Sequence, residues 1–442
     1  MTATAGRSPK DLPVNSDAPV LQRELDNGLS VMVREVHAAP VASFWVWYRV
    51  GNRNEHVGVT GISHWVEHML FKGTPAFPKG VAEKAIAREG GAFNGATSHD
   101  FTTYFATLPT DRIDLSLRIE ADRMENASFD RQEVEAERTV IISERQGAEN
   151  SPEFLLNEEV MGAALRVHPY GHPTLGHLCD LRAMTREQLY DHYRTYYVPN
   201  NALALAVGDF DGQAMLASIE DHFGGVPRGE DVPQVSAVEP AQHGERRVVV
   251  RREGSVPYLK MAFQGPPVRS PDFLHLAVLN AILTGAGAMT FMGGGLSNKS
   301  CRLYRALVTD GLAVDVSGLL LPTIDPFPYV LSVVVQPDGE LAEVEDVVER
   351  ELARIMDDAV TENEVAKAIK QAQAQFAYSS ESVTGQAMWL GFSEIFADHS
   401  WAEQYLENVS AVTVEDVRRA AAEYLSPSNC TVGWYVPQDS DG

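Results

Sequence analysis

The alternation of apolar and polar residues divides the chain into short strands and longer helices. From Val20 to Phe44 the pattern predicts strands, with a hairpin-like turn at residues 26–28 (Asp-Asn-Gly) and a second strand-forming run, VASFWVWYRVG, beginning at residue 41. A helix is expected from near Thr60. Strand signals rich in Thr, Phe and Tyr return downstream, and a long charged helical region comes next; these segments are 92–108 and about 111–146.

Two segments far apart in the chain share one helix-turn-strand pattern. In both, a helix that starts after a Thr is followed by a Pro-containing turn and an apolar run, and five residue identities recur at a constant separation of 228 positions. We interpret this as an internal duplication of an αβ domain. The matched pairs are Thr185/Thr413, Glu187/Glu415, Tyr196/Tyr424, Pro199/Pro427 and Asn201/Asn429.

The segment between these copies that best fits a linker is 224–245, which holds three prolines and lacks periodicity. We therefore predict a domain over 19–223 and a homologous domain over 246–442. The polar residues 1–18 are predicted to be disordered.

Composition is that of a soluble globular protein large enough for two domains, with 442 residues, 44% of them hydrophobic and 22% charged. Cys179, Cys301 and Cys430 are too sparse for a disulfide framework or a Cys-x-x-Cys zinc site. The sequence has no apolar signal-peptide core and no apolar stretch long enough for a membrane span. We expect a cytoplasmic protein that does not bind a membrane.

The net charge of −25, from 36 basic and 61 acidic residues, argues against a nucleic-acid partner, because such a surface repels phosphate groups. Most of the acidic excess is explained by solvated helix faces.

One predicted helix, in the run GISHWVEHMLFKG, combines a core-facing stripe with a cluster of metal-binding residue types. His64, Glu67 and His68 fall at positions i, i+3 and i+4, so they project together from the side opposite the stripe. Two imidazoles one turn apart can share a Zn²⁺, and the carboxylate between them can accept a proton from water. The apolar stripe is Ile62, Trp65, Val66, Met69 and Leu70.

A catalytic zinc site needs a third protein ligand, and the spacing leaves its identity open. Glu137 and Glu144 are seven residues apart and so share one helix face. Either can reach a metal while the other supports a ligand from behind. The alternative is that both belong to a solvated acidic helix.

The order of several motifs makes nearly the whole chain from Val20 onward resemble the pitrilysin/insulinase family of zinc peptidases. Its short branch, to which mitochondrial processing peptidase and bacterial relatives belong, is the most similar. The motifs are HxxEH, GGAFNGATSHDFTTY, ERTVIISE, HPYGHPTLG and YYVPNNALALAVGD. The fold class implied is α+β, with two homologous domains that each pack helices on a mostly antiparallel sheet.

The resemblance assigns roles to particular residues. It implies one zinc per chain, held by His64, His68 and Glu144, with Glu67 as the catalytic base and Glu137 as the supporting carboxylate. It also implies that a bound peptide pairs with the strand edge that contains Asn94, Gly95 and Ala96.

The chain departs from the family in its second half. Many active members carry an Arg and a Tyr seven residues apart, where this chain has Leu307 and Val314. We therefore expect a homologous partner subunit that supplies the Arg/Tyr pair in a heterodimer enclosing a peptide chamber, with a homodimer as the alternative. The glycine-rich stretch 285–300 lacks the pattern of a phosphate-binding loop and is expected to be either a substrate-contact loop or a surface loop.

The sequence thus predicts a zinc endopeptidase acting on peptides or unfolded segments. The alternatives are a non-proteolytic scaffold subunit of a complex and a zinc hydrolase of a non-peptide substrate.

Overall fold

The computed structural model of the chain describes residues 19–287, 289, 299–357 and 360–438. Segment 1–18, predicted to be disordered, and most of the glycine-rich stretch 285–300 lie outside these residues.

The described residues contain eleven strands, which form one six-stranded and one five-stranded sheet. Their bounds are β1 Leu21–Glu24, β2 Ser30–Glu35, β3 Val41–Tyr48, β4 Ala92–Thr97, β5 Thr102–Pro109, β6 Ala202–Gly208, β7 Arg246–Glu253, β8 Tyr258–Gln264, β9 Ala313–Leu319, β10 Pro328–Val335 and β11 Cys430–Gln438.

Fourteen α-helices pack with these sheets in the part of the chain that the structure describes. They are α1 Ile62–Leu70, α2 Val81–Arg88, α3 Asp114–Asn126, α4 Arg131–Ala148, α5 Pro152–Ala164, α6 Leu178–Ala183, α7 Arg186–Tyr196, α8 Gly212–Phe223, α9 Asp272–Leu283, α10 Leu341–Met356, α11 Glu362–Ser379, α12 Val383–Phe396, α13 Ser400–Ser410 and α14 Val414–Tyr424.

Both sheets are mostly antiparallel, as predicted. The first has the order β1-β2-β6-β3-β5-β4, and only its β2/β6 pair is parallel among the described strands. The second has the order β7-β11-β8-β10-β9, with a parallel β7/β11 pair in the equivalent place. The predicted α+β fold class is therefore confirmed.

The duplicated segments have the same local structure in both copies. Helices α7 and α14 each begin with a capping box, built on Thr185 and Thr413. After each helix the side-chain amide of an Asn, Asn201 or Asn429, donates a hydrogen bond to the carbonyl five residues earlier, at 2.9 and 2.7 Å. These bonds give the shared Asn a structural role in closing the turn before the strand.

The described residues divide into two compact units that exchange segments. The first unit contains 19–145, Pro173–Ser236 and Ser379–Glu403, and the second contains Gln146–His172, Ala237–Tyr378 and 404–438. Helix α12 thus packs on β3 and β6 of the first sheet, whereas α5 packs on β7, β8 and β11 of the second. The change between units at Ser236/Ala237 falls inside the predicted linker, and the boundaries 19–223 and 246–442 stay a prediction.

The core of the first unit lies beneath α1 and between the sheet and its helices. Side chains of β3 illustrate why: Phe44, Val46 and Tyr48 are fully buried on the face that carries α1, and Trp45 and Trp47 are fully buried on the opposite face. This strand is apolar on both faces because helices cover both. Among the described helices, none combines the length and apolar character needed to cross a membrane.

Candidate metal centre

Helix α1 has the predicted division of its faces. Its five apolar positions are all buried, so the stripe fixes the helix on the core. His64 and His68 project from the other side, with ring centroids 4.7 Å apart. Glu67, between them in sequence, is also buried. The buried stripe is Ile62, Trp65, Val66, Met69 and Leu70.

Helix α4 brings a carboxylate to the two histidines, and the structure distinguishes its two candidates. Oε2 of Glu144 lies 3.9 Å from Nε2 of His64 and 3.7 Å from Nε2 of His68. Glu137 lies behind instead, with Oε1 2.8 Å from Nδ1 of His68. Glu144 therefore faces both histidines and Glu137 contacts Nδ1 of His68, and the roles that the resemblance implies for the two glutamates at a metal stay a prediction.

The three facing groups fit a zinc ion. One ligand atom from each of His64, His68 and Glu144 lies within 4.8 Å of the others. Two atoms that bind one Zn²⁺ at about 2.0–2.2 Å are separated by less than about 4.4 Å, so the distances from Glu144 to the two imidazoles already satisfy this limit. The Glu144 side chain is 42% exposed, which leaves the site open to solvent on its side.

The surroundings of His64 favour its neutral imidazole. Burial, together with the neighbouring His68, lowers the pKa of His64 to about 4. A histidine must be neutral to bind a metal, and His64 is in that form at physiological pH. Among the described residues its buried Nδ1 has no hydrogen-bond partner.

The second imidazole is held by a chain of polar contacts. Burial lowers the pKa of His68, but the hydrogen bond to Glu137 and the nearby carboxylates of Glu144 and Glu67 outweigh this and raise it overall. Glu137 also contacts Nζ of Lys72. Burial raises the pKa of Glu137, and its bonds to His68 and Lys72 reverse the effect, so the carboxylate stays ionised.

The carboxylate of Glu67 is hydrogen-bonded to a side chain of strand β4. Its Oε2 accepts a hydrogen bond of 2.8 Å from Oγ1 of Thr97. Burial raises the pKa of Glu67 and the Thr97 bond opposes the rise. A carboxyl group with a raised pKa suits a group that must accept a proton and return it.

Strand β4 lies at one edge of the first sheet, as far as the described residues extend, with β5 as its neighbour. Asn94, Gly95 and Ala96 lie on it, and Oδ1 of Asn94 accepts a hydrogen bond of 2.9 Å from the Gly95 N–H. Gly95 faces Glu67: a Cβ atom added to it would lie 3.1 Å from Oε1 of that carboxylate. This edge of the sheet is therefore adjacent to the Glu67 carboxylate.

The sequence did not predict how helix α1 is anchored at its start. The residue before the helix is Gly61, which has no side chain to cap it. The buried carboxylate of Glu55 accepts hydrogen bonds from the N–H groups of Gly61 (2.7 Å) and Ser63 (2.9 Å) instead. Burial raises the pKa of Glu55 to about 7, against the opposing effect of these donors.

A second carboxylate fixes the turn that leads into α1. Oδ2 of Asp180 accepts hydrogen bonds from the N–H groups of Gly58 and Thr60 at 3.1 Å and from the Thr60 hydroxyl at 2.7 Å. Capping carboxylates are predictable from sequence when they lie within one turn of the helix start. Glu55 and Asp180 lie outside that spacing, so no sequence signal identified them.

In the second unit the two departures from the family pattern lie in different settings. Leu307 is fully buried, whereas Val314, the second residue of β9, is 52% exposed. Arg302, close by in sequence, forms an ion pair of 2.7 Å with Glu364.

Comparison with known families gives two adjacent matches. A model described as Insulinase (Peptidase family M16) matches residues 30–177, and one described as Peptidase M16 inactive domain matches residues 183–372.

Named relatives cover almost the whole chain. It is 29% identical over 423 residues to a protein of Mycobacterium tuberculosis named as an uncharacterized zinc protease, and the match covers 95% of this chain and 93% of the relative. It is 25% identical over 406 residues to the mitochondrial-processing peptidase subunit beta of Lentinula edodes, covering 91% and 86%. The crystal structure of a protease from Helicobacter pylori superposes with a TM-score of 0.89 at 26% identity, covering 95% of this chain and 100% of that one.

Proposed function

The chain belongs to peptidase family M16, the insulinase family, and on that basis we propose that it is a zinc-dependent endopeptidase cleaving peptides or unfolded segments. The observation that carries the proposal is the convergence of His64, His68 and Glu144 beside the buried carboxylate of Glu67. Relatives named as zinc proteases support the choice of metal and of reaction.

Each residue has a defined role in this proposal. His64, His68 and Glu144 would hold one zinc ion, which supplies a Lewis acid for the peptide carbonyl and makes water more acidic. Glu67 takes the proton of the attacking water and delivers it to the leaving amine nitrogen. Its bond to Thr97 holds the carboxylate in place between these two transfers.

We propose that the peptide binds by adding a strand to the β4 edge. The backbone of an extended substrate would pair with the segment Asn94 to Ala96, giving affinity with little sequence selectivity. Because Asn94 already occupies the Gly95 N–H, an incoming strand would displace that side chain to use this donor. The adjacency of Gly95 and Glu67 would bring the bound backbone to the proton acceptor.

We propose that a homologous subunit completes the active enzyme. Leu307 and Val314 stand where many active family members carry an Arg and a Tyr, and neither side chain can donate a hydrogen bond to a substrate. A relative named as a subunit, the beta subunit of mitochondrial-processing peptidase, is consistent with an assembly of this kind. Two such subunits would enclose the peptide-binding chamber; a homodimer is the alternative.

The test combines metal analysis with peptide cleavage. We expect close to one zinc per chain, loss of cleavage of an unstructured peptide after chelation, and recovery on adding zinc. Glu144→Gln should lose both zinc and cleavage, whereas Glu135→Gln, on the same helix and paired with Arg138 instead, should keep both. The assay is run with the chain alone and with a homologous partner.

Two other functions correspond to other outcomes of this test. A chain that binds zinc but cleaves no peptide, even with a partner, would be a scaffold or binding subunit, which the missing Arg and Tyr side chains favour. Hydrolysis of a non-peptide substrate without peptide cleavage would contradict the peptidase assignment while retaining the zinc site.

A further inference from the structure

The carboxylate of Glu137 has a different partner on each oxygen. Oε1 lies 2.8 Å from Nδ1 of His68, and Oε2 contacts Nζ of Lys72. The Glu137 side chain is only 5% exposed, so water is a poor substitute for either partner. The carboxylate cannot rotate without breaking one of the two contacts.

This orientation determines what His68 can offer to a metal. A carboxylate accepts and does not donate, so the 2.8 Å contact places the imidazole proton on Nδ1. The lone pair is then on Nε2, the atom that lies 3.7 Å from Glu144. Partners behind a metal-binding histidine fix both its tautomer and its ring orientation.

Lys72 lies where it can keep the Glu137 carboxylate ionised and hold its orientation. It lies two residues after the end of α1 and four residues beyond His68, and both side chains contact Glu137 on α4. A buried carboxylate without a cation pays a large desolvation cost, and the Lys72 ammonium group offsets it.

We propose that Lys72 is a positioning residue of the metal site, acting through Glu137. It holds the Glu137 carboxylate in the orientation that accepts the Nδ1 proton of His68, and thereby sets the zinc affinity of the site. The inference rests on the proposed zinc site and concerns metal binding, so it does not depend on whether the chain cleaves peptides alone.

The chain contains a matched control. Lys79 forms an ion pair of 2.6 Å with Glu133, which lies one turn before Glu137 on α4. This second Lys–Glu pair is more exposed than the first, at 55% and 29% for its two side chains. An exposed pair of this kind contributes little to stability. Removing Lys79 therefore reports the effect of losing a lysine near α4 without changing the support of His68.

The experiment measures zinc affinity of the full chain by competition with a chromophoric chelator. Lys72→Met should weaken zinc binding by about 10–100-fold, the usual effect of losing a residue that orients a metal ligand. Lys72→Arg should recover most of the affinity, and Lys79→Met should stay within about 2-fold of wild type. Absorption of the Co²⁺-substituted protein should change for Lys72→Met and remain unchanged for Lys79→Met.

A double-mutant cycle tests whether Lys72 acts through Glu137. In a Glu137→Gln background, Lys72→Met should have almost no further effect on zinc affinity. An equal loss in both backgrounds, or wild-type affinity in Lys72→Met, would overturn the proposal. If Lys72→Met does not fold, Lys72→Gln is measured in the same cycle.

Peptide cleavage is measured in parallel. Wild-type chain that binds zinc tightly but cleaves nothing would count against the proposed function and leave the Lys72 result standing. Wild-type chain that binds no zinc would overturn the Lys72 proposal.

Discussion

The backbone of Gly95 approaches the carboxylate of Glu67 so closely that a Cβ atom on Gly95 would lie 3.1 Å from Oε1. The same Cβ would meet the rings of Tyr104 at 3.0 Å and Phe71 at 3.1 Å. Strand β4 and helix α1 can therefore be this close only where β4 has no side chain. The contact joins the proposed peptide-binding edge to the proposed proton acceptor.

Gly95→Ala should impair catalysis more than metal binding. The added methyl group pushes against Glu67, and misplacing a catalytic group by a fraction of an ångström reduces rate steeply. We expect kcat/KM to fall by about 10-fold or more, with zinc content unchanged. The measurement is peptide cleavage alongside metal analysis. An unimpaired Gly95→Ala enzyme would show that this close approach is not required.

Stability should fall between neutral and mildly acidic pH partly because of His192. Burial, with a smaller effect of His56, lowers the pKa of His192 to about 3. In the unfolded chain the pKa of His192 is about 6.5, so below this pH the unfolded chain binds a proton at His192 that the folded chain does not bind. The stability present above about pH 6.5 is therefore lost as the pH falls towards 3.

Urea unfolding at pH 7 and pH 5 tests this. His192→Gln should lose less unfolding free energy between the two pH values than the wild type does. The exposed His243 provides the control, and His243→Gln should behave as the wild type. A wild-type pH dependence in His192→Gln would exclude His192 as its source.

Gly391→Ala should destabilise the first unit. Gly391 lies on α12, and a Cβ there would come within 2.3 Å of the indole nitrogen of the buried Trp47 on β3. Overpacking of this kind costs about 1–3 kcal/mol. Gly162, on α5, is the matched helical glycine with nothing within 4 Å of an added Cβ.

Gly162→Ala should be neutral or stabilising by up to about 1 kcal/mol, because alanine favours the helix. Chemical denaturation of both variants measures the difference. Equal stability of the two would mean that α12 does not pack on Trp47 as described.

Local patterns predicted the elements that carry the site. The apolar stripe of α1 was readable because the side chains of a helix recur with a strict period. The roles of Glu137 and Glu144 were not, since seven residues place both on one face. The positions of the two glutamates differ in their distances to Nδ1 and Nε2 of His68, and such distances depend on how two helices pack.

Long-range contacts account for what sequence reasoning missed. Glu55 anchors α1 from a loop outside the capping spacing, and Asp180 reaches Thr60 across 120 residues. Helix α5 belongs to the second unit and α12 to the first, and the sequence does not predict this. The amphipathic or apolar pattern of a helix shows that it is buried but does not show on which sheet it packs. A duplication predicts two similar sheets but not which helix covers which sheet.

The most direct test of the proposed mechanism is to compare Glu67→Gln with the wild type for both zinc content and cleavage of an unstructured peptide, in the presence of any required partner. Glutamine keeps the shape of the side chain and an acceptor for Thr97 but cannot take a proton from water. The account predicts a variant that binds zinc as the wild type does and has lost cleavage. Wild-type cleavage by Glu67→Gln would contradict it.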